Sequence, residues 1–231
     1  NMYATAKMTK YEMHPAVESS YPNTPFNYKS LIVANTPWTG HYDIQPGLWT
    51  IAHFTQFADV GWKYIDSGNF IDDRGGYMML KDPASGNWSL VVLNVSALPK
   101  EYTFNLSGGL STGTVRQWKT TETSQFIQQS NLTPASGSFT VTIDPYSIYT
   151  FTTTTGQQKG AAASANPSSA AFSLATEYSD TFEAYAAGKQ PKYFSDQGGA
   201  FVVAAEGSGK ALAQVIDAAK RPADWKYRTT P

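Results

Sequence analysis

The sequence predicts a mainly β protein organised around an antiparallel β-sandwich. Three observations predict it. Between residues 43 and 156, short runs alternate apolar with polar residues, as in "WSLVVLNVS", "EYTFNLSG" and "SFTVTID", the period of strands with one face in a core. Turn-forming stretches such as "DPASGN", "SGGLSTG" and "LTPASG" separate those runs, at the spacing of sandwich strands. Charged residues are only 15% of the chain and aromatics 14%, a balance that suits a β-rich extracellular protein better than a helical cytosolic one.

The 231 residues allow one large or two ordinary domains. A formal net charge of −1 argues against nucleic acid or an anionic membrane as partner. The absence of cysteine excludes a disulfide framework and thiol chemistry. No apolar run approaches the roughly 20 residues of a membrane span, so no transmembrane segment is expected. The start, "NMYATAKMTKYEMHP", has neither a signal peptide's apolar segment nor an initiator Met, and the chain reads as a piece of something longer. Sequons stand at Asn87, Asn94, Asn105 and Asn131; in Thr/Ser-rich strands such triplets also arise by chance.

Taken in order, residues 1–13 read as a short helix, with Ala4, Met8 and Tyr11 at helical spacing. "HPAVESSYPNTPFNYK" is a proline-rich loop. Leu31, Ile32, Val33 and Ala34 then form an apolar run without alternation, which suits a parallel strand covered on both faces. Its exit, "NTPWTGHY", is polar and aromatic. Pro37 should end the strand and Gly40 allow the backbone to turn. Helix, loop, apolar strand and exit make one β/α unit, and a barrel needs about eight. In the sandwich, "SFTVTI" puts Phe139, Val141 and Ile143 on a core face and its Thr/Ser residues in water. "TTGQQKGAAASANPSSAAFS" loses all periodicity and reads as a linker. Beyond it, Phe201, Val202 and Val203 suggest a strand, "EGSGKA" a turn, and "LAQVIDAA" either helix or strand.

Several of these stretches, "NMYATAKM", "LIVANTPWTGHYDI", "GLWTIAHFTQFADVGWKYI", "SFTVTIDPYSIYTFTTTTGQQKG" and "YSDTFEAY...YFSDQGGAFVV", together resemble glycoside hydrolase family 59, the galactosylceramidase family. The match runs in order along almost the whole chain and is most specific between Trp38 and Trp62. The resemblance implies the last β/α unit of a (β/α)8 barrel over residues 1–42, a β-sandwich over 43–156, a linker over 157–176 and the start of a lectin-like jelly roll over 177–231. It also implies a retaining β-galactosidase acting on galactosylceramide or a related β-galactoside, secreted or extracellular, and lysosomal in a eukaryote. Such enzymes use two carboxylates about 5 Å apart, a nucleophile and a general acid/base. In the family both sit on earlier barrel strands, so this chain should hold neither and be inactive alone. Phe26 stands where relatives carry a tyrosine and Met8 where they carry a tryptophan, and no equivalent of the family's galactose-contacting arginine can be placed. These departures make a β-linked galactoside a firmer expectation than ceramide-linked galactose.

Trp38, His41 and Tyr42 are the substrate-binding candidates, with Phe26 beside them. A tryptophan face suits sugar C–H groups, and His and Tyr supply hydrogen bonds. The competing reading is that Trp38 and Tyr42 only pack. No cofactor is required; a structural calcium is implied at Asp180 and Glu183, although relatives are acidic where this chain has Thr181. His41 and His53 are better read as hydrogen-bonded interface residues than as metal ligands, for want of a completing ligand set. Asp72 to Gly76 reads as a charged turn. Trp49 and Trp62 belong in a core or interface, and Glu12, Asp59, Asp66, Glu101 and Glu122 at the surface. A non-catalytic carbohydrate-binding or structural module is the alternative to the glycosidase; it has no use for the strand of residues 30–34, which needs neighbours on both faces.

Overall fold

The computed structural model describes residues 8, 10–13, 15–18, 30–66, 70–72, 74–160, 163–164, 177–194 and 200–216. They belong to two compact units, one of Asn1–His14 with Gln45–Ala162, the other of Pro15–Ile44 with Ala163–Pro231. The helix expected over residues 1–13 does not form where the segment is described. Met8 and residues 10–13 are not helical, and Met8, Tyr11 and Met13 are exposed. An apolar stripe that finds no core leaves a helix this short marginal in water.

The second unit contains a small sheet of β1 (Val17–Glu18), β2 (Ile32–Val33) and β3 (Asp43–Ile44), in the order β1-β2-β3. β2 runs parallel to β1 and antiparallel to β3. The strand expected over residues 31–34 is therefore shorter than predicted, and its cover is one-sided. Val33 is 1% exposed, whereas Leu31, Ile32 and Ala34 are half-buried. The strand's partners bound it, since β1 and β3 each pair with it over only two residues. A 3-10 turn at Pro37–Thr39 and Gly40, with φ of +72°, reverse the chain, so β3 returns along β2. A left-handed φ is the conformation that glycine adopts without a Cβ penalty.

The longer segment of the first unit begins with α1 (Pro46–Thr55). This helix is not among the expected elements, yet its signal is in the sequence: Pro46 at the first turn and Trp49, Ala52 and His53 at helical spacing, all buried. Nine strands follow: β4 (Lys63–Ile65), β5 (Phe70–Asp72), β6 (Gly75–Lys81), β7 (Trp88–Asn94), β8 (Lys100–Asn105), β9 (Arg116–Thr120), β10 (Ile127–Gln128), β11 (Ser138–Ile143) and β12 (Ser147–Thr152). Seven form one sheet, ordered β10-β9-β12-β7-β6-β4 with β5 on β6, and every pairing in it is antiparallel. β8 and β11 pair as a separate ribbon. No helix occurs between Trp88 and Phe151, all of which is described.

The ribbon covers one face of the sheet. Phe139, Val141 and Ile143 of β11 join Trp88, Leu90, Val92, Tyr149 and Phe151 in one core, and the alternation of β11 is the expected one, with Thr140 and Thr142 exposed. In β12 the polar half of the alternation is dry instead. Thr150 and Thr152 are both 0% exposed, because α1 lies over that face: Phe54 packs on the cluster of Met78, Val91 and Ile148. A buried hydroxyl costs about 1–3 kcal/mol if left unpartnered. Thr152 spends its hydroxyl on the Trp88 carbonyl at 3.0 Å. Asn94, one of the four sequon residues, is 0% exposed. Its Nδ2 reaches the carbonyls of Leu98, Ile143 and Asp144, so its role is to satisfy backbone at a strand end.

The charged turn expected between Asp72 and Gly76 falls at the β5–β6 connection, where Asp72 pairs with Gly75. In the second unit, β13 (Phe201–Glu206) and β14 (Gly209–Gln214) form an antiparallel hairpin. Its turn takes Gly207 at a φ of +56°, as "EGSGKA" suggested, and the ambiguous "LAQ" is strand.

Candidate functional site: the Trp38–Tyr42 connection

Trp38, His41 and Tyr42 all lie on the connection from β2 to β3, and all three are half-buried. Local hydrogen bonds shape it. The Thr39 hydroxyl donates to the Thr36 carbonyl at 2.8 Å, and the His41 backbone N–H donates to Thr39 Oγ1 at 3.0 Å. His41 Nε2 lies 3.4 Å from Asp43 Oδ1, the carboxylate that follows it by two residues. Phe26 lies outside the described residues.

Residues from the far end of the sequence reach this connection within the same unit. Tyr193 meets Trp38 edge to face, with ring centroids 5.8 Å apart and an interplanar angle of 67°. The Tyr42 hydroxyl donates to the Ala163 carbonyl at 3.3 Å. Ser164 Oγ donates to the Gly40 carbonyl at 3.5 Å. Reading the sequence missed these partners, because no local pattern links residues more than 120 positions apart. The connection offers an indole, an imidazole beside a carboxylate, and a phenol, which is the equipment for stacking on and hydrogen-bonding a polyhydroxylated ligand.

Asp180 and Glu183 hold other partners. Asp180 Oδ2 accepts from the hydroxyls of Tyr185 at 2.7 Å and Tyr178 at 2.8 Å, and Oδ1 accepts from the Phe182 amide at 2.8 Å. The Tyr185 hydroxyl, then the Phe182 amide and the Tyr178 hydroxyl, hold the Asp180 carboxyl below the usual carboxylate range against the opposing effect of desolvation. Glu183 Oε1 accepts from the Lys210 amide at 2.8 Å, while Lys210 Nζ donates to the carbonyls of Glu183 and Tyr185. Among the described residues, no three His, Cys, Asp or Glu side chains gather into one cluster. Calcium takes six to eight oxygens, whereas N–H and O–H donors surround these two carboxylates. The donor set as it stands fits a hydrogen-bonded clasp onto the β13–β14 hairpin and does not fit a calcium ion.

His53 belongs to the first unit and is 0% exposed. The Thr150 hydroxyl donates to the His53 carbonyl at 3.1 Å. Its oxygen, 2.8 Å from Nδ1, must therefore accept, so Nδ1 carries the proton. Nε2 then accepts from the Thr120 hydroxyl at 2.9 Å, whose oxygen in turn accepts the Phe126 amide at 2.8 Å. Both ring nitrogens are satisfied by a neutral imidazole. Burial lowers the His53 pKa to about 3. This is a structural histidine, as expected, held between helix and sheet. Trp49, also 7% exposed, stacks on Phe126 at 5.9 Å, in line with its expected core role. Glu12, Asp59, Asp66, Glu101 and Glu122 are exposed.

The sequence model of glycosyl hydrolase family 59 matches residues 1–56, a stretch that contains the whole β2–β3 connection and ends just after α1. The chain is 30% identical to the galactocerebrosidase of Mus musculus, over 96% of this chain and 36% of that protein. It is 30% identical to the galactocerebrosidase of Homo sapiens, over 86% of this chain and 32% of that one. The chain thus spans about a third of the length of the curated relatives it matches. Among solved structures, the catalytic domain of a GH30 xylanase C from Talaromyces cellulolyticus aligns with 55% of this chain and 28% of its own, at 19% identity and a TM-score of 0.46, a likeness too partial to bear on fold or function.

Proposed function

Because the chain belongs to the galactosylceramidase-like family, glycosyl hydrolase family 59, we propose that it is part of a retaining β-galactosidase that hydrolyses the galactosyl bond of galactosylceramide or a related β-galactoside. The observation that carries this reading is that the family match spans the Trp38–Tyr42 connection, where an indole, an imidazole and a phenol cluster half-buried on one connection. In this reading β2 is the last strand of a (β/α)8 barrel, and its connection lies at the C-terminal end of the strands, where barrel enzymes place their chemistry. The segment from residue 177 onward begins a lectin-like jelly roll. The enzyme is secreted, and lysosomal in a eukaryote.

The two catalytic carboxylates, about 5 Å apart in a retaining enzyme, lie outside this chain. The chain's own contribution is positioning. The Trp38 ring takes the apolar face of the galactose, His41 and Tyr42 bind hydroxyls, and Asp43 orients the His41 ring. These contacts bind the sugar alike in the ground state and the transition state, so they act on kcat/KM chiefly through KM. The calcium reading of Asp180 and Glu183 finds no support in their donor-rich surroundings.

The test uses the full-length enzyme and a chromogenic β-galactoside. Trp38→Ala should lower kcat/KM by at least about tenfold, or ~1.4 kcal/mol of transition-state binding, with little change in Tm. The isolated 231-residue chain should show no turnover. A full-length protein that binds galactosides without hydrolysing them would instead be the non-catalytic carbohydrate-binding module.

A further inference from the structure

We propose that Tyr193 is the positioning residue for Trp38, so that a residue 155 positions downstream sets the shape of the sugar-binding turn. The proposal rests on the reading of the Trp38–Tyr42 connection as that site.

Tyr193 is held on several sides. Its ring meets Trp38 at 5.8 Å and 67°, and Tyr178 at 5.5 Å and 75°. Lys192 Nζ stands 4.7 Å from its centroid, within the range of a cation–π contact. Edge-to-face geometry is the favourable arrangement for such rings, because the positive edge of one meets the negative face of the other. Tyr178 is in turn tied to Asp180 through its hydroxyl at 2.8 Å, and Asp180 to Tyr185 at 2.7 Å. Tyr193 is thus the last member of a braced row of side chains that ends on the indole.

The backbone supports the same assignment. Tyr193 has a φ of +69°, in the left-handed region that disfavours a residue with a Cβ. Such a conformation persists only where its surroundings over-determine it, and here the surroundings are Trp38, Tyr178 and the neighbouring Lys192. The second hold on the turn is polar and weaker: the long hydrogen bonds from Tyr42 to Ala163 and from Ser164 to Gly40. A flat ring with two rotatable bonds reaches several orientations unless a neighbour excludes the rest. Tyr193 supplies that exclusion for Trp38, and the consequence belongs to sugar affinity more than to the bond-breaking step.

A double-mutant cycle in the full-length enzyme tests this, with a chromogenic β-galactoside as substrate. Tyr193→Ala should raise KM about fivefold or more and leave kcat within about twofold. Tyr193→Phe, which keeps the ring, should behave as the wild type. In a Trp38→Ala background, Tyr193→Ala should add nothing, since it acts through the indole that is already gone. If Trp38→Ala impairs the enzyme while Tyr193→Ala does not, the positioning role falls and the site stands. If the two effects simply add, Tyr193 acts by another route and the proposal fails. If Trp38→Ala itself leaves kcat/KM unchanged, the site reading falls and this inference with it. Should Tyr193→Ala fail to fold, Tyr193→Leu in the same cycle, monitored by Tm, carries the same three outcomes.

Discussion

Two histidines in this chain show how one side chain serves opposite ends. His53 lies between α1 and the large sheet, fully dry, with both ring nitrogens bonded to threonine hydroxyls and its proton fixed on Nδ1. His41 lies on the β2–β3 connection, half-buried, with Nε2 3.4 Å from an exposed carboxylate. The first can neither meet a ligand nor titrate near neutrality. The second keeps part of its side chain in contact with solvent. The difference teaches that cover decides what a polar side chain can meet: those under α1 meet only the protein's own groups, and those on the turn stay partly open to solvent.

The largest effect that separates the two is stability. His53→Ala should cost about 3 kcal/mol or more, since it opens a cavity and removes one buried hydrogen-bond partner each from Thr120 and Thr150. Chemical denaturation of the full-length protein measures it, and a loss below about 1 kcal/mol would mean that the ring is not what fastens the helix.

The pH dependence of that contribution comes next. The unfolded His53 takes up a proton below its ordinary pKa of 6.5, whereas the folded ring resists protonation down to about 3. Protons therefore favour the unfolded chain within that window. The contribution is complete above 6.5 and is lost as pH falls toward 3, at up to ~1.4 kcal/mol per pH unit. Stability curves of the wild type and His53→Gln should converge as pH drops from 6.5. Curves that stay parallel would show that the folded ring takes up its proton as readily as the unfolded one.

A smaller effect probes an exposed polar contact. A Cβ on Gly209 would stand 2.7 Å from Glu183 Oε1, so the flexible carboxylate must swing off the Lys210 amide. Gly209→Ala should cost about 1 kcal/mol, one net hydrogen bond. Adding calcium should not raise the Tm of either form; a calcium-dependent rise in the wild type that the variant lacks would restore the metal reading of Glu183. The smallest stability effect belongs to His41→Ala, within about 0.5 kcal/mol, accompanied by reduced kcat/KM in the full-length enzyme. A destabilisation like that of His53→Ala would erase the contrast between the two histidines.

What the sequence determined by itself was periodic or contiguous. The alternation in "SFTVTI" named the core face of β11, and the structure keeps it. The glycines marked where the backbone turns, Gly40 and Gly207 among them, and the run from Trp38 to Tyr42 identified the candidate site together with its family. Even the missed helix was legible, in Pro46, Trp49, Ala52 and His53. The tertiary structure alone decided what lies opposite each face. A period of two says which side chains share a side, and a threonine hydroxyl is satisfied equally by water or by a buried carbonyl. Only α1 packed over Thr150 and Thr152 makes that face dry. The return of β3 along β2 depends on a pairing partner that a local pattern does not name. The meeting of Trp38 with Tyr193, and the proton on His53 Nδ1, depend likewise on groups brought together across long stretches of chain, where contact is set by packing and not by sequence spacing.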